Sequence, residues 1–365
     1  MAMVLERLFL KNFRLYRQAT VAFTPGVNLV LGENAQGKTS LLEALAVLLL
    51  GEGVPGAGAR ELVHWGEEEA RLEAEVRAAG RRTRLRALLK RGQGIGHYVE
   101  EAPVRLGEIF RFFPLVVFWP ADGEILRGEP QRRRQFLDGM LARLSRRYLA
   151  DLRRYRRALA QRNACLRSGR RELLEVWEEE MATYGGRVAA ERYAALHFLT
   201  HKVEEIYGAL SDGRETLILR YLSNWSEGKE DPTAQLRLAL RRHRTRELRF
   251  GQTLVGPHRD DLGFLLNGHD LRSQASRGQQ KNGALALRLA QAALVAARLD
   301  QKPLILLDDA FAELDCRRRE WLARYLQEQD QVVLTAADGR LVPGNLTVSR
   351  RLSIQGGKVV EESAG

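Results

Sequence analysis

The chain has 365 residues, 45% of them hydrophobic and 28% charged, which suits a soluble globular protein of two domains or of one domain with a large insertion. Its net charge is +12, and fifty of its 58 basic residues are arginine, so a polyanionic partner is expected, with a solvated basic surface as the alternative. Cys165 and Cys316 form no metal or redox motif and fit a reducing cytosol, Glu6, Arg7 and Lys11 leave no signal-peptide core, and the longest apolar run, Leu41 to Leu50, carries Glu43 and is too short to span a bilayer.

Short strands are expected at Val4-Leu5, Leu8 to Leu10 and Ala19 to Phe23, with a turn at Pro25-Gly26. Val27 to Leu31 reads as a buried strand, Gly32 to Thr39 as a glycine loop, and Ser40 to Leu50 as an apolar helix. Gly51 to Gly58 is a glycine-rich break, and Leu72 to Val76 and Thr83 to Leu89 are hairpin strands before a flexible tip at Gly92 to Gly96. Leu115 to Trp119 is a strand stopped by Pro120. From Gln131 to Leu166 the apolar positions Leu137, Leu141, Leu144, Tyr148, Leu152, Tyr155 and Leu159 recur at steps of three and four, which predicts one long helix with arginines on its other faces. A second helical stretch covers Glu172 to Leu210, without the sustained heptads of a long coiled-coil arm. Thr216 to Leu222 is a strand, Ser226 to Pro232 a polar loop, and Thr233 to Arg249 a basic helix. Asp261 to Leu266 and His269 to Leu271 flank Asn267-Gly268, a two-residue hairpin turn. A helix over Gly283 to Arg298, strands at Leu304 to Leu307 and Val332 to Thr335, and small strands in the last thirty residues complete the chain.

Three segments carry chemistry. Gly32-Glu33-Asn34-Ala35-Gln36-Gly37-Lys38-Thr39-Ser40 fits the phosphate-loop pattern between strand and helix. Loop and helix amides point at phosphate oxygens, Lys38 reaches the β- and γ-phosphates, and the Thr39 hydroxyl holds Mg²⁺. The apolar run Leu304 to Leu307 ends in Asp308-Asp309, where a phosphate-loop enzyme places a metal ligand, here Asp308, and a group that orients or deprotonates the attacking water, here Asp309. Ser276-Arg277-Gly278-Gln279-Gln280, followed by a helix, resembles the signature of ABC-type ATPases, and Ala312-Glu313-Leu314-Asp315 stands at the place of their D-loop. The three occur in the usual chain order.

The match narrows to the RecF family of DNA repair proteins. Thr253-Leu254-Val255-Gly256-Pro257-His258-Arg259-Asp260-Asp261 resembles that family's hallmark segment. So do Leu10 to Arg14, Gly32 to Thr39, Val117 to Pro120 with Asp122, Arg132 to Asp138, Gln161-Arg162-Asn163 and Leu307 to Asp309. The resemblance implies an α/β fold: an ABC/SMC-head-like P-loop ATPase lobe from residues 1–120 and 275–365, with an inserted, arginine-rich and mainly helical second lobe over 121–274. It implies ATP and Mg²⁺ as cofactors and a homodimer that closes on ATP, Ser276 to Gln280 acting in trans. It also implies weak, DNA-stimulated ATP hydrolysis in the cytoplasm at the nucleoid, with no membrane. The function it implies is recombination mediation at single-strand gaps, in which RecR and RecO help load RecA. Arg14 is a candidate nucleotide contact or a structural ion pair. Arg143, Arg146, Arg147, Arg153, Arg154, Arg156 and Arg157 are candidate DNA contacts or a solvated face. His258 with Arg259, Asp260 and Asp261 forms a structural turn or senses nucleotide. His197 and His201 stand at i, i+4, without the glutamate of a zinc-protease motif. The signature continues with Lys281-Asn282, Ala312 replaces a common serine, and Thr335-Ala336-Ala337 holds no switch histidine. The rival readings are a non-repair SMC- or cohesin-like structural head and another P-loop NTPase.

Overall fold

The computed structural model describes residues 3–54, 59–78, 80–226, 231–312 and 314–362. The chain divides into two compact units, one of Met1–Gly123, Glu205–Glu215 and Ser276–Gly365, the other of Glu124–Glu204 and Thr216–Ala275.

The first unit holds two six-stranded sheets. In one, Gly26–Leu31 lies between Arg350–Gln355 and Gln331–Ala336, and Leu304–Leu307 and Leu115–Phe118 follow outward, all parallel. Lys358–Glu362 closes the edge as a hairpin with Arg350–Gln355. Leu304–Leu307 and Leu115–Phe118 are buried at every position, as covering both faces of a parallel sheet requires. The other sheet is antiparallel, in the order Tyr16–Ala22, Val4–Phe13, Glu69–Ala78, Arg81–Lys90, Gly94–Val99, Ala102–Pro103. Here Leu85, Ala87 and Leu89 face inward and alternate with the less buried Arg84, Arg86, Leu88 and Lys90. The two short strands expected at the start of the chain are one strand, because a bulge between Leu5 and Arg7 carries the pairing on. The expected flexible tip from Gly92 enters a strand at Gly94. Of the glycine-rich break at Gly51 to Gly58, residues 55–58 lie outside the described residues.

The helix Lys38–Leu50 packs against strands of both sheets and is buried on nearly all sides, so its sequence is apolar all round rather than striped. Its one buried carboxylate, Glu43, accepts two hydrogen bonds from Arg14, at 2.6 and 2.8 Å, and one from the Val54 amide at 2.9 Å.

The second unit contains the helices Pro130–Leu144, Arg146–Ser168 and Pro232–Phe250, most of the 37-residue helix Leu174–Leu210, and a three-stranded sheet of Leu217–Leu222, Asp261–Leu266 and His269–Asp270. Asn267 and Gly268 both take positive φ, 51° and 84°, as the two-residue turn demands. The single helix expected over Gln131 to Leu166 is two. Ser145 leaves the helical region, and its hydroxyl accepts from the Tyr148 amide at 3.1 Å, capping the second helix. The apolar stripe survives the break, with Leu137, Leu141, Tyr148, Leu152 and Tyr155 all buried.

Two arginines lie on that stripe. Arg133 sits four residues before Leu137 and Arg162 seven after Tyr155, and both are fully buried. Arg133 clamps Asp261 through two hydrogen bonds, at 2.6 and 2.8 Å. Arg162 donates to Thr253, Glu178 and Glu247 at 2.8, 2.9 and 2.6 Å. Arg192 holds Asp138 at 2.7 Å and the Pro257 carbonyl at 2.7 Å. Asn163 accepts from the Thr253 amide and hydroxyl. Asp260 accepts from Tyr221 at 2.6 Å and Trp225 at 2.8 Å. The hallmark segment 253–261 is thus the hub of a buried polar network whose spokes are Arg132 to Asp138 and Gln161 to Asn163. Arg133, Arg162 and Arg192 are each paired with carboxylates and Asp260 is hydrogen-bonded, without which burial would be prohibitive. His197 and His201 pack edge to face with ring centres 4.9 Å apart.

Of the two roles open to His258, the geometry supports the structural one. The Tyr155 hydroxyl donates to Nδ1 at 2.6 Å, and Nε2 donates to the Thr253 carbonyl, 3.3 Å away. Burial pulls the imidazole from 6.5 down to about 4. At intermediate pH the unfolded chain therefore binds a proton that the folded chain refuses. This contribution is complete above about pH 6.5 and is lost as pH falls toward about 4. The urea midpoint is expected to fall between pH 7 and pH 4.5, with His258 supplying on the order of 2–3 kcal/mol of the change. A His258→Gln variant should show a shallower slope; an identical slope would show that His258 is not the titrating group.

Candidate functional site

The glycine loop leaves Gly26–Leu31 and closes on Lys38–Leu50. Gly32 has φ 155° and lies against the Ile354 carbonyl, where an added Cβ would come within 2.5 Å. Gly37, at φ 114°, is the helix N-cap and has no side chain to cap the first amides, so the positive end of the dipole faces the loop uncovered. The Tyr16 hydroxyl donates to the Gly37 carbonyl at 2.9 Å. Lys38 donates to the carbonyls of Gly32 and Glu33, at 2.6 and 2.8 Å, which holds its ammonium across the loop. Burial lowers its pKa, against the opposing pull of Asp309 and Asp308.

Asp308 leaves Leu304–Leu307 two strands from the loop strand, with Gln331–Ala336 between them. Its two oxygens accept from Thr39 at 2.9 Å and Thr335 at 2.7 Å. Burial raises the Asp308 pKa, and the two hydroxyls counter it. The Thr335 hydroxyl also accepts from the Asp309 amide at 2.9 Å, which holds Asp309 at a positive φ of 51°. Asp309 in turn accepts from the Ala337 amide at 3.2 Å. A cavity of about 250 Å³ opens here, lined by Leu15, Asn34, Ala35, Gly37 to Ser40, Pro120, Asp308 and Asp309. A uncapped helix terminus, an ammonium, a hydroxyl and carboxylate oxygens around one cavity suit a phosphate group together with a hard, oxygen-seeking cation such as Mg²⁺.

The remaining candidates fall in several places. Arg14 pairs bidentately with the buried Glu43 and donates to the Glu61 carbonyl at 2.9 Å, so its guanidinium is committed to the core rather than to the cavity. Gln36 is held by a neighbouring hairpin rather than lining the cavity. The helix expected from Gly283 starts at Arg277, because exposed Ser276 caps it: the hydroxyl accepts from the Gln279 amide at 3.2 Å and Gln279 returns the bond to the Ser276 amide at 2.9 Å. Gly278 has open space beside it, and Gln280 is half-buried one turn on. The helix is tied to the turn after Leu115–Phe118 by a bidentate Arg288–Asp122 pair, at 2.9 and 2.7 Å. Ala312 is exposed and Leu314 buried, Asp315 caps the helix Cys316–Gln327, and Glu313 lies outside the described residues.

The candidate DNA arginines separate into two groups. Arg147 approaches Asp151 at 3.9 Å, Arg154 engages Tyr184 by a hydrogen bond and over its ring, and Arg156 pairs with Asp138 at 3.1 Å. Arg143 is half-buried and Arg146 exposed. Arg153 and Arg157 are exposed with no partner among the described residues, as is Arg167 on the same face.

Comparison with known proteins places the chain in a family. The model of the RecF/RecN/SMC N terminal domain matches residues 4–350. The DNA replication and repair protein RecF of Desulforudis audaxviator is 39% identical, over 99% of this chain and all of that one. This chain belongs to the RecF family. A structure described as the recombination mediator protein RecF-ATP in the RecFOR pathway superposes with a TM-score of 0.87 at 30% identity, covering 99% of this chain and 98% of that one. The Smc head domain of Pyrococcus furiosus superposes at 0.60 with 15% identity, covering 99% and 96%, and shares the fold. The mixed α/β, ABC-type head read from the motifs is therefore the fold of this RecF-family chain. Among the described residues no helix is long and apolar enough to cross a membrane.

Sequence reading missed Leu15 and Pro120 on the cavity wall and, buried behind it, Thr335 and Tyr16. Thr335 was noted only for the histidine it is not. Its signal was a hydroxyl at the end of the strand between those carrying the loop and Asp308. Thr335→Val keeps the shape and removes the hydroxyl, orphaning the Asp309 amide. It is expected to cost about 1–3 kcal/mol in a urea titration, and Thr335→Ser should recover most of this. An unchanged midpoint for the valine variant would remove Thr335 as the anchor.

Proposed function

We propose that this chain is an ATP-dependent, DNA-binding recombination mediator that acts in gap repair with RecR and RecO to help load RecA. The observation that carries the nucleotide reading is the meeting of Thr39 and Asp308 at 2.9 Å on the wall of the loop cavity. It supplies hydroxyl and carboxylate oxygens for Mg²⁺ beside amides that seat phosphate. Gly32 to Thr39 would cradle the phosphates, with Asn34, Ala35 and Ser40 on the cavity wall, and Lys38 would turn its ammonium toward the β- and γ-oxygens. Bound Mg²⁺ would neutralise phosphate charge. Asp309, held by Thr335 and Ala337, faces the cavity and would orient and deprotonate the attacking water.

Exposed Ser276 and half-buried Gly278, at a helix start, support a signature that grips the γ-phosphate of a nucleotide bound by a second copy. ATP then closes a dimer and slow hydrolysis reopens it. Arg14, committed to Glu43, serves the fold of the first unit. Arg153, Arg157 and Arg167 fall within one stripe of the helix over about 21 Å at 1.5 Å per residue. With neither carboxylate nor aromatic partners among the described residues, they fit contact with the phosphates of DNA without base reading.

With saturating ATP and Mg²⁺, sedimentation should show a dimer, and Ser276→Arg should leave a monomer that still binds ATP; a wild-type monomer under these conditions would overturn the trans arrangement. Asp309→Asn should retain ATP binding, slow turnover at least tenfold and prolong the dimer, whereas unchanged turnover would exclude Asp309 as the base. Replacing Arg153, Arg157 and Arg167 by alanine should weaken DNA binding uniformly across sequences and lower the salt slope by about three. Replacing Arg154 and Arg156 should change it less, and equal slopes for the two variants would return the stripe to a solvated face.

A further inference from the structure

The phosphate loop is held from outside by the hairpin of Arg350–Gln355 and Lys358–Glu362. Four contacts, all in the first unit, converge on it. The Gly356 amide donates to Gln36 Oε1 at 2.6 Å, and the Gly357 amide donates to the Gln36 carbonyl at 3.1 Å. Gly32, at the other end of the loop, lies against the Ile354 carbonyl so closely that an added Cβ would be 2.5 Å from it. Gly357, at φ 72°, packs against the carbonyl of Leu15, itself a wall of the cavity, and an added Cβ there would come within 2.7 Å. The strand Arg350–Gln355 also pairs in parallel with the loop strand, Ser353 opposite Leu31.

A backbone N–H can only donate, so the amide oxygen of Gln36 must face the hairpin, whichever way the side-chain amide is drawn. The loop's Gln36 carbonyl is turned the same way. A carbonyl turned out of the cavity toward an amide cannot repel a phosphate within it. Fixing carbonyls outward fixes loop amides inward, and a loop already in its binding form loses less conformational freedom when the anion arrives.

We propose that the 350–362 hairpin is the clamp that preorganises the phosphate loop, and that Gln36 is a positioning residue joined to Gly356 and Gly357 rather than a phosphate ligand. Nucleotide affinity and hairpin docking are then linked: ATP tightens the hairpin, and loosening the hairpin weakens ATP. The inference rests on the reading of this loop as an ATP site and adds a regulatory handle away from the phosphates.

The decisive variant is Gly357→Ala, which strains the hairpin tip and presses on Leu15 while leaving Gly32 to Ser40 unsubstituted. Binding of a fluorescent ATP analogue with Mg²⁺ and amide hydrogen exchange are measured on the full chain, with wild type and Gln36→Ala alongside. Both variants are expected to bind the nucleotide about tenfold more weakly, with faster exchange at residues 355–358. In the wild type, nucleotide should slow exchange at those same residues. Wild-type affinity in Gly357→Ala together with faster hairpin exchange would overturn the clamp, and so would nucleotide that leaves wild-type hairpin exchange unaltered. Should Gly357→Ala fail to fold, Gln36→Ala and the wild-type exchange decide the question. A wild type that binds no ATP would overturn the nucleotide reading itself, an outcome distinct from either failure of the clamp.

Discussion

One carboxylate joins the parts of the candidate site. Asp308 accepts from Thr39, on the helix after the loop, and from Thr335, on the strand between. Its own amide donates to the Phe118 carbonyl on the next strand, at 3.1 Å. A buried carboxylate is costly unless its oxygens are filled, and here each oxygen meets a hydroxyl from a different element. The loop, the Asp308-Asp309 strand end and the central strand therefore keep one relative position. A shift of any one would leave a charge in the interior with an empty oxygen.

The same economy of buried charge shapes the rest of the molecule. In the first unit Glu43 lies inside the central helix because Arg14 reaches it with two bonds. In the second, Arg133, Arg162 and Arg192 are fully or almost fully buried, each against carboxylates. Many residues of the motifs that single out the RecF family are members of this network rather than ligands of a substrate. Removing one partner from such a pair is far more damaging than the pair's net contribution to stability, because an uncompensated charge remains. That asymmetry gives the hallmark segment 253–261 a structural reason for its composition.

The basic excess of the chain thus serves two ends. Part of it neutralises buried carboxylates, and part of it, including Arg153, Arg157 and Arg167, stays in solvent without partners among the described residues. Net charge alone could not separate them. Helical position separates some of them, since Arg133 and Arg162 fall on the buried stripe of Leu137 and Tyr155 rather than on the outer faces where the sequence reading put the arginines.

The sequence by itself determined the loop between strand and helix, the apolar strand ending in Asp308-Asp309 and the Asn267-Gly268 turn. Each depends on neighbours within a few residues: glycine where φ is positive, four apolar residues where a strand is covered on both faces. Only tertiary structure decided that Thr335 anchors Asp308, that Arg14 belongs to Glu43, that Ser145 divides the long helix, and that Gln36 answers to Gly356 across 320 residues of chain. These are contacts between segments that sheet order brings together. A hydroxyl, a guanidinium or an amide is the same in sequence whether it faces water, a phosphate or another strand. Burial and the partner within 3 Å make the difference, and both arise only when the strands have found their neighbours.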